Sequence, residues 1–385
     1  MDEAISDAEA SLIGKEDQRS RELNSKANYR AGCAAYNLGE YNKAKEFFQG
    51  QQKLRSEDKS AAPYLRQIEH RLLEQTTGAY NWTKIKAGLS RAHPRVQVTS
   101  FVSNTKVGDS PGRGHGLFVT RDIPTGDIVM CDKAFCTVWG HESEALAAMT
   151  YDLRDDQIRV SPVGLTASTV EKLLDNPSWI ERIMKLYGDY RSDGKSVYKT
   201  EDGPVVDTFR IHDIVSRNAF GPGSQYGEET ARKPSSGLWI WAAYINHSCI
   251  ANVRKEFVGD LMMLRAARLI TAGEEIFISY NEATDYDVRK MALMTTWGFE
   301  CNCLLCVAEK DDDPAVRKKR EGLAEEANSF VEREHWANAK RLTIVKANRL
   351  ARAIDETYDD ERYKDVPRVA GRLIQEWLIK ASPRK

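Results

Sequence analysis

The sequence predicts an α+β protein with a strand-rich centre held between two helical ends. Three observations carry that reading. Small and apolar residues recur at helical spacing up to about residue 90. From about 95 to 300 the texture turns to short β-rich segments split by turn residues, and beyond Pro314 apolar residues recur again with a period near four. The chain accordingly divides into a helical region over 1–94, a strand-rich region over 95–300 with a helical insert at about 140–235, a cysteine loop at 301–310 and a helical region over 311–385.

In the first region, Ala31, Ala34, Ala35 and Leu38 form one apolar face. A turn follows at Gly39-Glu40-Tyr41, and Ala44, Phe47, Phe48 and Leu54 form a second face. A third helix is expected to start near Pro63, with Tyr64, Ile68 and Leu72 one turn apart. The pattern Gly32…Gly39-x-Tyr41-x-x-Ala44-x-x-x-Phe48 looks like one tetratricopeptide unit, whose small residues let paired helices approach closely. Such a unit serves either as packing for its neighbour or as a surface for peptide contact.

The central strands are expected at Gly116–Thr120 and Asp127–Cys131, split by the turn 122–126, and later at Asn252–Phe257, Leu261–Ala266 and Glu275–Tyr280. The insert offers helical pieces at Val170–Leu174 and Trp179–Tyr187, and Gly221–Gly237 reads as a mobile loop. In the tail, Leu323, Ala327, Phe330, Leu342, Leu350 and Ile354 carry the helical repeat. The run Arg317-Lys318-Lys319-Arg320, after Asp311-Asp312-Asp313, reads as a solvated helix start.

Composition excludes several classes. Apolar residues make up 41% and charged residues 29%, the mix of a folded chain. Lys+Arg at 56 nearly cancels Asp+Glu at 57, so no net field favours direct nucleic-acid or membrane-surface binding. No run of about eighteen apolar residues occurs, which excludes a spanning helix on length. The opening Met-Asp-Glu-Ala lacks a basic-then-apolar signal. The expected setting is a reducing compartment, cytoplasmic or nuclear, where the seven cysteines read as thiols or metal ligands before disulfides.

Cys301-x-Cys303-x-x-Cys306 places three thiols in one loop. Zn²⁺ prefers four soft ligands in a tetrahedron, so a structural site needs one more. Cys33, Cys131, Cys136, Cys249 and the histidines are candidates, and Cys249 stands out because it follows Asn246-His247-Ser248.

Four separated segments together resemble the SET-domain family: Gly112-Arg113-Gly114-His115-Gly116-Leu117-Phe118, then Tyr244-Ile245-Asn246-His247-Ser248-Cys249, then Gly273–Tyr280, and last Trp297-Gly298-Phe299-Glu300 running into the cysteine triplet. The resemblance covers about 108–306. It is closest to the SET-and-MYND group and to fungal proteins with a tetratricopeptide segment before the SET domain. The chain departs from the SET-and-MYND pattern by lacking the MYND finger cysteines and by reading Ile250-Ala251-Asn252 where a Pro-Asn pair is usual.

The resemblance implies a β-rich SET domain with a pseudoknot and a post-SET zinc loop, S-adenosylmethionine as methyl donor, structural Zn²⁺, and a protein substrate presenting a target lysine. It assigns cofactor contacts to Arg113, Gly114, His115, Gly116, Asn218, Asn246, His247, Tyr280 and Phe299. Tyr280 becomes the catalytic residue, Tyr244 and Trp297 walls of the lysine channel, and Cys249, Cys301, Cys303 and Cys306 the zinc ligands. For the two glycines the physical reason is backbone approach where a Cβ would collide. A non-catalytic scaffold, and methyl transfer to a small molecule, are the alternative functions.

Overall fold

The computed structural model describes residues 1–14, 17–152, 157–190, 199–200, 203–227 and 233–381. Two compact units emerge: Met1–Ile245 with Val253–Ile276, and Asn246–Asn252 with Phe277–Lys385.

The first unit opens on helices Asp2–Ala10, Gln18–Leu38, Tyr41–Leu54, Ala62–Thr77 and Trp82–Gly88. The second of these starts where Asp17 accepts from the Ser20 N–H, and it stops at Gly39, whose φ of 80° closes the last turn. Its partner Tyr41–Leu54 packs closely because residue 32 is glycine: a Cβ there would lie 2.9 Å from the Phe48 ring. Ala34, Ala35, Ala44, Phe48 and Ile68 form the shared core, and Ala31 packs beside it with Ala8 and Ala27. The fourth helix starts at Ala62 with Pro63 in its first turn, where the sequence places a helix start, and Tyr64 stacks on Phe48 at 4.8 Å between centroids.

The strand-rich part of this unit follows the expected segments with shifted ends. Thr105–Ser110 and Gly114–Val119 form an antiparallel hairpin closed by Ser110↔Gly114. Ile128–Lys133, Leu261–Ala266 and Val253–Val258 form a three-stranded antiparallel sheet with Leu261–Ala266 at its centre. That central strand is buried on both faces, with Leu261, Met262, Met263 and Leu264 all in the core. The expected strand 275–280 is divided instead. Glu275 bridges Phe118 and the Ile276 N–H donates to Leu117 at 2.7 Å, whereas only Phe277–Ile278 forms strand pairs in the second unit.

In the insert, Val163–Asp175 contains the expected helical piece 170–174, but 179–187 shrinks to a 3-10 turn at Pro177–Trp179 and the short helix Ile180–Met184. These pack with Thr208–Asn218 around Leu165, Leu173, Ile180, Ile183, Ile211 and Ile214. The stretch 221–237 is not a loop throughout. Residues 228–232 lie outside the described ones, while Ser236–Leu238 is a strand between Cys136–Val138 and Ala219–Phe220. Gly237 belongs there for close approach, since a Cβ would meet the Trp239 ring at 2.7 Å.

The second unit ends in the helices Tyr286–Trp297, Leu304–Lys310, Pro314–Arg333, Arg341–Asp355 and Arg372–Ala381. Leu305, Ala327, Phe330, Ala347, Leu350, Ile354, Ile374 and Trp377 form their core, with Leu323 packed against it. Leu342 departs from the expected face and is 82% exposed, because helical rotation carries it off the side that holds Ala347, Leu350 and Ile354. The basic run also departs. Lys318 and Lys319 are exposed, but Arg320 is 5% exposed, stacked 3.8 Å over Tyr358 and bonded to Asp312 at 2.8 Å and to the Thr357 carbonyl at 2.7 Å. No helix among the described residues is long and apolar enough to cross a membrane.

One buried acid of the first unit sets up the segment preceding Asn246. Asp132 accepts the N–H groups of Trp241 at 2.9 Å and Ala242 at 3.1 Å, capping the turn Ala242–Tyr244. Burial pushes its carboxyl up to about 7 against the pull of those bonds. A raised folded-state pKa favours folding while the proton is held, and that advantage is lost as pH rises through about 7. Asp132→Asn keeps an oxygen for both N–H groups and removes the titration. Its denaturant midpoint relative to wild type should therefore climb from about pH 5 to about pH 8; a flat difference would clear Asp132 of the effect.

Candidate active site and metal centre

The site of the second unit begins with two short segments laid side by side. Asn246–His247 pairs in parallel with Phe277–Ile278, in the register Asn246↔Phe277 and His247↔Ile278. The Ser248 N–H continues the ladder to the Ile278 carbonyl at 3.0 Å, and the Asn252 amide oxygen accepts the Phe277 N–H at 2.8 Å. Asn252 is buried, so this clamp works away from water. From sequence Asn252 was expected only as the first residue of the strand Asn252–Phe257 and as part of the departure Ile250-Ala251-Asn252, with no role at the site.

This pairing delivers Tyr280 to His247. The Tyr280 N–H donates to His247 Nδ1 at 3.0 Å, and the two rings lie 5.2 Å apart. Trp297 lies 4.8 Å from the Tyr280 ring, and Phe299 lies 6.4 Å from Tyr280 and 5.9 Å from His247. Local sequence positions that pair of aromatics. The helix Tyr286–Trp297 is capped by Asp285, which accepts the Val288 N–H, and ends at Gly298 with φ 74°. That left-handed residue reverses the chain, so Trp297 and Phe299 approach Tyr280 from either side of the turn. Tyr280, Trp297 and Phe299 are all half-buried, leaving aromatic surface for a ligand.

Behind the aromatics lie four thiols. The sulfurs of Cys249, Cys301, Cys303 and Cys306 all lie within 4.8 Å of one another, with Cys249 at 4.0 Å from Cys301 and 3.5 Å from Cys306. A tetrahedron of Zn–S bonds near 2.3 Å requires sulfur separations of about 3.8 Å, so the set fits Zn²⁺. Cys303 is the N-cap residue of the helix Leu304–Lys310 and Cys306 lies one turn on, which aims both sulfurs the same way. Of the candidates for the fourth ligand, Cys249 joins the group and Cys33, Cys131 and Cys136 do not. Hydrogen bonds among the sulfurs split their acidities: Cys301 is pushed down, Cys303 is lowered to about 6, and Cys249 and Cys306 are pushed up. Four adjacent thiolates need a cation to coexist, and a bound metal supplies it.

The remaining predicted residues belong to the first unit. Arg113, Gly114, His115 and Gly116 form the tip and start of the hairpin strand, and Gly114 adopts φ 76°. No other atom lies within 4 Å of a Cβ built there, so backbone conformation rather than crowding by the protein requires glycine at 114. His115 lies 3.5 Å from Asp109, both exposed. Asn218 ends the helix Thr208–Asn218, and its amide donates to the carbonyls of Tyr187 and Ile214, each at 2.7 Å. Tyr244 is half-buried against the insert core, and burial pushes its phenol up.

A family model for the SET domain matches residues 114–281. The match begins at the glycine of the hairpin and ends one residue past Tyr280, so it includes the phenol, while Trp297, Phe299 and three of the thiols follow it. A "Methyltransferase" of Gibberella zeae is 28% identical over 354 residues, covering 86% of this chain and 48% of the relative. A "Histone-lysine N-methyltransferase SET5" of Yarrowia lipolytica is 30% identical over 139 residues, 35% of this chain and 30% of that protein. A "Protein-lysine N-trimethyltransferase SMYD5" of Gallus gallus is 36% identical over 105 residues, 26% of this chain and 25% of that protein. The chain thus spans about half the length of the first of these relatives and less of the others.

Metal analysis of the purified full chain should find about one zinc per chain, as a four-thiolate structural site requires. Cys303→Ser should lose most of it and Cys33→Ser none. Equal zinc in all three samples would remove the cluster as its site.

Proposed function

We propose that this chain transfers a methyl group from S-adenosylmethionine to a lysine side chain of another protein. The observation that carries the reading is the Tyr280 phenol at the end of the SET-domain match, joined to the Asn246–His247 strand and flanked by Trp297 and Phe299. The names of the relatives support the same chemistry.

The donor supplies an electrophilic methyl group on a sulfonium, which a neutral amine displaces in line. The obstacle is protonation: holding a lysine neutral at pH 7 costs about 4–5 kcal/mol from its ordinary pKa near 10.4. Half-buried aromatic walls at Trp297 and Tyr280 disfavour the ammonium by desolvation, lowering that cost. The same walls hold the amine near attack distance and replace a collision with a unimolecular step. The Tyr280 hydroxyl orients the amine lone pair. Phe299 offers a face on which an adenine ring stacks, and Asn246 a side-chain amide for the donor's polar end. Arg113–Gly116, Asn218 and Tyr244, which the SET-domain resemblance assigns to the donor and to the acceptor path, belong to the first unit. The zinc cluster acts as a post-SET structural site that fixes the Phe299 turn. The N-terminal helices offer a surface for peptide contact, and the activity belongs to the cytoplasm or nucleus.

The test is incubation of the full chain with radiolabelled donor and a cell lysate, beside Tyr280→Phe. Label should appear on lysine in protein, and the variant should lose about 10²–10³-fold in rate, the scale for removing one hydrogen-bonding group at a reacting centre. Label on small molecules, or donor binding without transfer, would replace this reading with the small-molecule or scaffold alternative. Full activity in the variant would remove Tyr280 from the chemistry.

A further inference from the structure

We infer that His247 is an outer ligand of the four-cysteine metal centre, donating its Nε2–H to the Cys249 sulfur while its Nδ1 holds the Tyr280 backbone. The inference rests on the cysteines being a metal site and is independent of methyl transfer.

Three features of the geometry lead to it. First, the Tyr280 N–H is only a donor, and it lies 3.0 Å from His247 Nδ1, so that nitrogen carries the lone pair. A neutral imidazole then bears its proton on Nε2. Second, Nε2 lies 3.3 Å from Cys249 Sγ. A metal-bound thiolate has no proton to give, so the contact there is N–H···S. Third, four sulfurs already complete a tetrahedron, which places the imidazole outside the coordination sphere. His247 is 3% exposed, and its backbone is fixed by the pair His247↔Ile278.

A donor to a metal-bound sulfur disperses part of the thiolate charge and fixes the ligand's direction, an effect that lowers metal affinity about 10–100-fold when removed. Here the same ring also sets the position of residue 280. Metal occupancy and the placement of Tyr280 are thereby joined through one side chain: sulfur to imidazole to backbone amide. This arrangement also excludes His247 as a proton-transfer base, because both of its nitrogens are committed.

Two substitutions separate the two ends of the ring. The oxygen of His247→Asn occupies the Nδ1 position and still accepts from Tyr280, but no donor reaches the sulfur. The amide of His247→Gln reaches the Nε2 position and still donates to the sulfur, but the Tyr280 N–H loses its acceptor. With cobalt(II) as the probe metal on the full chain, His247→Asn should bind about 10–100-fold more weakly. Its sulfur-to-cobalt charge-transfer band should move to lower energy, because a thiolate without a hydrogen-bond donor holds its electrons less tightly. His247→Gln should match wild type in both measurements yet show faster amide hydrogen exchange at Tyr280, which His247→Asn should not. Wild-type affinity and band in His247→Asn, or equal losses in both variants, would overturn the inference and leave the metal site standing. No cobalt uptake by wild type would instead remove the metal site itself. Should either variant fail to fold, nitrogen NMR of the wild-type His247 ring decides the matter: the Nε2–H tautomer is expected, and an Nδ1–H tautomer overturns the inference.

Discussion

The site of the second unit depends on one backbone arrangement: Asn246–His247 lying parallel to Phe277–Ile278, two segments separated in the chain by residues 253–276 of the first unit. Two residues on each side make a weak ladder, since a net backbone hydrogen bond contributes only about 1 kcal/mol. The pairing is therefore reinforced by side chains. Asn252 takes the Phe277 N–H and His247 takes the Tyr280 N–H, so donors just inside and just beyond the ladder are satisfied. Leaving either part-buried donor unpaired costs more than the bond itself contributes, and this asymmetry holds the register. A slip by one residue would turn His247 and Tyr280 to opposite faces.

The thiol cluster takes up where the ladder ends. The segment from Gly298 to Cys303 has no regular secondary structure and little apolar side chain apart from Phe299. Its order comes from its two ends, the capped helix Tyr286–Trp297 and the helix Leu304–Lys310 that presents Cys303 and Cys306. A metal held by Cys249, Cys301, Cys303 and Cys306 closes that loop onto the Asn246–Asn252 segment, the usual remedy where a core is too small to fix a loop. The helices beyond contribute packing, with Cys249, Ile250 and Cys303 set against the core that contains Leu305 and Ala308.

Charge does structural work in the same unit. Arg289 and Glu309 form a buried pair, and Arg289 also donates to the carbonyls of Ala283 and Thr284 at 3.1 and 2.8 Å. Asp312 gathers Arg320, Arg362 and the Tyr363 hydroxyl. Such pairs contribute little net stability but strongly penalise any geometry that breaks them. They specify how the helix Pro314–Arg333 meets the turn before it.

Much of this protein was legible from its amino acids because the relevant signals are local. The turn at Gly39-Glu40-Tyr41, the helix start near Pro63 and the three-cysteine loop each depend on residues within a turn of one another. The order of four motifs carried the SET-domain resemblance for the same reason, since each motif is a short string, and the family model matches residues 114–281. Long-range pairing decided the rest. Nothing near residue 275 announces that the strand will divide between two partners, and nothing near Gly237 distinguishes a loop glycine from one pressed against Trp239. Leu342 fitted the apolar repeat and still faces solvent, and Arg320 fitted a solvated charge run and is buried. Cys249 already stood out in the sequence beside Asn246-His247-Ser248, and folding brings its sulfur, not those of Cys33, Cys131 or Cys136, to the triplet; that both nitrogens of His247 are taken follows only from folding. Chain spacing fixes which residues share a turn, but which turns meet is set by burial and hydrogen-bond satisfaction over the whole molecule.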